Sequence, residues 1–164
     1  MPAPAPARKH IMKQLPLFCR MKNQKRIKRD ILRQWITEPI NKTPQEVAVL
    51  MYHLRELLPA TEELPYLQAP VYFDYGCNTF FGRFSSANFN FTCLDVCEIH
   101  IGDNVMIGPN VTLATPMHPL LPEERNIRKR EDGSFYNLEY AKPITIKDNC
   151  WLASNVVVCG GVTI

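Results

Sequence analysis

His118 is the residue of this chain best placed to move a proton. It lies in ATPMHPLLPEERN, between Pro116 and Pro119, at the point where a regular sequence pattern breaks off. An imidazole takes up and returns a proton near neutral pH, which suits general-base activation of a hydroxyl. A histidine taken at random is more often a loop residue satisfied by its surroundings, but the position of this one, where the regular pattern breaks, favours the base. His100 alternates with Ile99 and Ile101 and is expected to face outward, while His10 and His53 have no comparable setting. The six cysteines, Cys19, Cys77, Cys93, Cys97, Cys150 and Cys159, form no CxxC pair and read as small buried hydrophobes. Cys159 falls at a small-residue position and is not read as a nucleophile. No GxGxxG or P-loop sequence is present.

The pattern that breaks off before His118 has a period of six. Ile101, Ile107 and Leu113 are followed by Gly102, Gly108 and Ala114. After the interruption Ile146, Leu152, Val158 and Ile164 resume the pattern, with Ala153 and Cys159 behind. A weaker copy runs through Tyr75, Phe81, Ala87 and Cys93. A helix repeats at 3.6 and a strand at 2.0, so neither explains this spacing. A hexad repeat fits a parallel β-helix in which each hexad supplies a short strand and a turn. The aliphatic residue points inward, and the small one lets the chain turn tightly.

Three regions follow. Residues 1–15 form a Pro/Ala-rich disordered tip. Residues 16–60 form a basic helical extension, with Ile27, Ile31 and Ile36 in one run and Val47, Leu50, Leu54, Leu57 and Leu58 in a second. Thr43, Pro44 and Glu46 mark the start of the second helix, and Pro59 closes it. Residues 60–75 link to the coils, which occupy the rest of a 61–164 domain, with a loop at 114–143. A loop of that length inside a compact domain is usually functional. Asp132-Gly133 within it reads as a hairpin tip.

Residues 1–29 carry nine of the 19 Lys and Arg and no acid, leaving ten basic against all 16 acidic residues in the remainder. The head is basic and the body acidic. Basic helices are more often solvated faces than nucleic-acid or membrane sites, and neither partner is expected. With no run of 18 apolar residues and no signal segment, the expected location is the cytoplasm.

The stretch DYGCNTFFGRFSSANFNFTCLDVCEIHIGDNVMIGPNVTLATPMHPL, with PEERN, LEYAKPITI and DNCWLASNVVVCGGVTI, resembles the maltose and galactoside O-acetyltransferases of the hexapeptide-repeat superfamily. The resemblance runs from about residue 40 to the end. It implies a mainly β fold, a left-handed parallel β-helix with an N-terminal helical segment. It also implies a homotrimer with active sites between subunits, and acetyl-CoA as co-substrate with a maltose-, glucose- or galactoside-like acceptor. His118 resembles the catalytic base, and Asn88 an asparagine at the reacting centre. Asp74 and Asp95, with Asn88, match positions at the acceptor pocket, and Trp151 and Ser154 match positions along the pantetheine channel. Each has a plainer reading: Asn88 as a turn residue, the aspartates as loop caps, Trp151 as an outward residue of a rung. Lys142, Lys147 or the extension would meet the CoA phosphates.

The chain departs from the family by stopping at GGVTI, where family members continue through further hexads. It is therefore expected to be C-terminally truncated, and the alternative to an active enzyme is a weak or inactive structural subunit of a hexapeptide-repeat trimer. The basic head also offers no clear counterpart, before Asp30, to an acidic residue that the family's helical segment supplies to the acceptor. The superfamily's zinc carbonic anhydrases would need three converging histidines. Only His100 and His118 lie in the coils, eighteen residues apart, so no metal is expected.

Overall fold

The computed structural model describes residues 43–164. The tip, the basic head and the run on Ile27, Ile31 and Ile36 lie outside the described residues. Helix α1, Pro44–Leu57, opens on a capping box in which the Thr43 side chain accepts the Glu46 N–H and the Thr43 N–H donates to Glu46 Oε2 at 2.6 Å. Each of these satisfies a donor that the first turn would otherwise leave unpaired. Leu54, Leu57 and Leu58 are buried, but Val47 stays 44% exposed. The apolar face expected over the whole helix is thus covered only in its last turns, where Leu57 packs on Gly76. Gly76 has φ +79, and a Cβ there would fall 2.5 Å from the Leu57 carbonyl oxygen, so glycine alone fits.

The coils follow in order. The lowest holds β1 (Tyr66–Leu67) and β2 (Val71–Phe73), the second β3 (Thr79–Phe81), β4 (Ser86–Ala87) and β5 (Phe91–Leu94). The third holds β6 (Ile99–Ile101), β7 (Met106–Ile107) and β8 (Thr112–Ala114). Next come the loop elements β9 (Pro116–Met117), α2 (Pro122–Arg125), β10 (Arg128–Lys129), β11 (Phe135–Tyr136) and β12 (Tyr140–Ala141). The last described coil holds β13 (Ile144–Ile146), β14 (Trp151–Leu152) and β15 (Val157–Cys159).

Three parallel sheets form the faces of a prism, in the orders β1-β4-β7-β14, β3-β6-β13 and β2-β5-β8-β15. Pairing of Phe81 with Ile101, Ala87 with Ile107 and Cys93 with Leu113 gives a twenty-residue rise per coil. The spacing along a coil is therefore six, six and eight, the third corner being two residues longer than a hexad.

That longer corner corrects two expectations. Phe73, paired with Cys93, is the inward residue of the lowest coil, whereas Tyr75 lies outside the strands and is half-buried. Residues 66–73 already belong to the prism and are not a linker. The hexad residues from Phe81 to Val158 point inward and are buried, whereas Ile164, expected to do the same, is 42% exposed. Phe73 and Phe81 each meet Phe91 edge-on, at 5.9 and 6.3 Å between ring centres.

The first corner separates β3 from β4 and the second separates β4 from β5; each needs a residue in the left-handed region. Asn104 and Asn149 supply it at the first corner, and Asn90, Asn110 and Asn155 at the second. Asparagine tolerates that conformation because its short amide bonds locally. Here Asn90 donates to Asn110 at 2.9 Å, and Asn110 to Asn155 at 3.1 Å. Phe84 breaks the rule, with φ 58 and 79% exposure. Left-handed backbone costs an ordinary L-residue roughly 1–2 kcal/mol, and the exposed ring returns little of it. Phe84→Asn should therefore raise stability by about 1 kcal/mol, read as a higher urea midpoint; a lower midpoint would show that the ring packs usefully.

Candidate active site

The loop leaves the prism at the third corner, after Leu113, and returns at Ile144. Its stem is an antiparallel ribbon pairing Met117 with Tyr140 and Pro116 with Ala141. His118 follows this stem directly. Its Nδ1 lies 2.9 Å from the Leu138 carbonyl oxygen on the returning strand. A carbonyl only accepts, so Nδ1 carries a proton, and in the neutral ring Nε2 is then the nitrogen with the free lone pair. The side chain is exposed. This is the arrangement that a general base requires: one nitrogen anchored, the other basic and accessible.

Farther out, β10 and β11 form the hairpin expected at Asp132-Gly133. Gly133 has φ 85, and Asp132 Oδ1 accepts from the Ser134 N–H and hydroxyl at 2.8 and 2.6 Å. Those hydrogen bonds, the hydroxyl's first, hold the Asp132 carboxyl below its usual range. The Arg130 guanidinium covers the Tyr136 ring at 4.6 Å.

Below the loop, the third corner is organised around Asp95, which is fully buried. Its Oδ1 accepts from Tyr75 N at 2.8 Å, and its Oδ2 from Asn78 N at 3.2 Å and the Thr79 hydroxyl at 3.0 Å. Burial pushes this carboxyl above its ordinary range, while the same donors pull it back. The carboxylate is saturated by the corner it caps and is turned inward. One coil on, Thr115 takes the equivalent place, its hydroxyl accepting from Cys97 N at 3.0 Å and donating to Leu94 O at 2.7 Å. Asp74 lies half-buried at the same corner, just after β2. Cys93 is buried beside Thr79 at 3.3 Å, and burial first, then Asp95, pushes its thiol well above the usual value.

Asn88 occupies the second corner, on the far side of β5. Its side-chain oxygen accepts from Phe89 N at 2.8 Å, which fixes the amide orientation and points Nδ2 away from that bond. Ser154 is exposed at the second corner of the last described coil, and Trp151, 73% exposed, stands outward on β14 next to Met106 of β7. One chain thus brings Asp74, Asp95 and the His118 loop to the third corner, and Asn88 and Ser154 to the second. It does not unite the two sets. His100 faces outward as expected, its ring 4.5 Å from and nearly parallel to that of Phe80, with Glu98 Oε2 at 3.1 Å. Among the described residues, no three His, Cys, Asp or Glu side chains converge as a metal site.

No family model matches the chain. The galactoside O-acetyltransferase of Escherichia coli (strain K12) is 41% identical over 121 residues, 74% of this chain and 55% of that protein. A galactoside acetyltransferase solved in complex with coenzyme A superposes with a TM-score of 0.71 at 32% identity, over 93% of this chain and 68% of that one. The chain belongs to the galactoside and maltose O-acetyltransferase family. A maltose O-acetyltransferase from Clostridium difficile 630 also superposes, with a TM-score of 0.68 at 28% identity over 90% of this chain and 71% of that one. The prism is accordingly the left-handed parallel β-helix of hexapeptide-repeat acetyltransferases. This family member spans about half the length of the curated relatives it matches.

Proposed function

We propose that this chain supplies the acyl-transfer site of an acetyl-CoA-dependent sugar O-acetyltransferase. The observation that carries the reading is the His118 ring, with Nδ1 anchored on Leu138 O and Nε2 left basic. His118 removes the proton of an acceptor hydroxyl as that oxygen attacks the thioester carbonyl. The thioester is already activated and the alcohol is the weak partner, so no acetyl-enzyme is needed. The proton held by His118 then passes to the departing CoA sulfur.

Asn88 stands on another corner, so the site is completed between two copies, with the second corner of one facing the His118 loop of the next. A homotrimer provides three such junctions. There Asn88 Nδ2 donates to the acceptor or to the tetrahedral oxyanion. Asp74 meets acceptor hydroxyls, and Asp95 shapes that pocket from inside by ordering the corner. Trp151 and Ser154 flank the pantetheine arm, with Lys142 or Lys147 toward the phosphates. The relatives' names favour a galactoside- or maltose-like acceptor.

The test is mass-spectrometric detection of acetylated product from the chain with acetyl-CoA and a panel of maltose, glucose and galactosides. His118-dependent product supports the reading, and its absence with every acceptor favours a non-catalytic prism. Asn88→Ala should lower kcat about a hundredfold, the effect of losing one oxyanion donor. CoA affinity, read by calorimetry, should hold; lost affinity would make Asn88 a cofactor contact instead.

A further inference from the structure

The segment after His118 has its own clamp. The Pro119 and Leu120 carbonyls face one guanidinium nitrogen, Arg125 Nη1, at 3.5 and 3.3 Å. Helix α2 makes this possible, because its single turn, with Arg125 N on Leu121 O and Asn126 N on Pro122 O, brings Arg125 back over the residues that precede it. Arg125 follows Glu123 and Glu124 in sequence, yet among the described residues it forms no ion pair. Its guanidinium is directed instead at main-chain oxygens, the Leu120 contact being the shorter of the two. A second arginine ties the clamp to the hairpin, with Arg128 Nη2 donating to Glu123 O at 2.7 Å.

Resting on the reading of His118 as base, we infer that Arg125 is a positioning residue for it. Two constraints fix the imidazole. Leu138 O holds the ring from the returning strand, and Arg125 holds the main chain that carries the ring onward into Pro119 and Leu120. Pro119 is buried while Leu120 is 89% exposed, so packing anchors only the first of these two residues. Without the guanidinium, the Leu120 carbonyl returns to water and the turn bearing His118 widens. A displacement on the order of 1 Å at a catalytic group can cost a hundredfold in rate. Lysine is not equivalent, since it offers a point charge in place of a planar fork.

The test pairs kinetics with nitrogen NMR of histidine-labelled, substrate-free full chain. Arg125→Ala should lower kcat roughly ten- to hundredfold, with KM for acetyl-CoA and the melting temperature unchanged. Millimolar guanidinium ion should restore part of the rate, and Arg125→Lys should fall between wild type and alanine. The His118 signal, the Nδ1–H tautomer in the wild type, should broaden or shift to a tautomer mixture in Arg125→Ala. An unaltered His118 signal in that variant would overturn the proposal, as would a melting loss that accompanies the rate loss in both variants. The NMR arm needs no turnover. A wild-type chain that acetylates nothing, yet shows the Arg125-dependent signal, would sink the catalytic reading and leave the clamp standing.

Discussion

Replacing His118 by alanine is expected to lower kcat about a thousandfold, within the range for losing a general base, while leaving the fold intact. The rate effect corresponds to about 4 kcal/mol of transition-state stabilisation. The side chain is exposed, and among the described residues its ring is held by the Leu138 carbonyl oxygen. Exposed substitutions of this kind usually change stability by about 0.5 kcal/mol or less. Activity and stability therefore separate at this residue. Steady-state thiol release, beside urea unfolding of the same preparations, reads both quantities. Turnover within about threefold of wild type would remove His118 from the chemistry. A large stability loss would instead make the Leu138 contact a structural tie of the loop stem.

His118 was legible because the six-residue pattern runs to Leu113 and stops, and the interruption sets this histidine apart from His100. Its partner was not legible. Leu138 acts through a carbonyl oxygen that every residue has, twenty positions away, and only the β9–β12 pairing brings it near. The hexads also predicted which residues point inward from Phe81 to Val158, but the eight-residue third corner hid the lowest coil. Counting back by six from Phe81 lands on Tyr75, whereas the chain needs eight residues to turn there and places Phe73 inside. Corner residues do not alternate as strand residues do, so residue type could suggest a ligand role for Asp95 but not the direction of its carboxylate. Asn88 and His118 each stand out in the sequence as candidates, and the coil order, with Asn88 after β4 and His118 beyond β8, is what assigns them to different corners.

Asp95→Ala is expected to be the most destabilising of these substitutions, by roughly 3 kcal/mol, because it leaves buried donors without an acceptor. Tyr75 N, Asn78 N and the Thr79 hydroxyl all end on this carboxylate, and Asn78 Nδ2 reaches back to the Asp95 carbonyl at 2.8 Å. The thiol of Cys93, 3.3 Å from Thr79, offers that hydroxyl only a weak substitute. Asp95→Asn keeps one acceptor oxygen but turns an amide NH2 toward donors, so it should fall between wild type and alanine. Thr115 provides the internal comparison, as it caps the same corner one coil higher through one N–H and one carbonyl. Thr115→Val should cost about 1–2 kcal/mol, the loss of a neutral cap with a buried donor exposed. Urea unfolding of the three variants orders these effects. An Asp95→Ala loss below about 1 kcal/mol would mean that ordered water replaces the carboxylate, and the corner beneath the His118 loop would then be held by main-chain pairing alone.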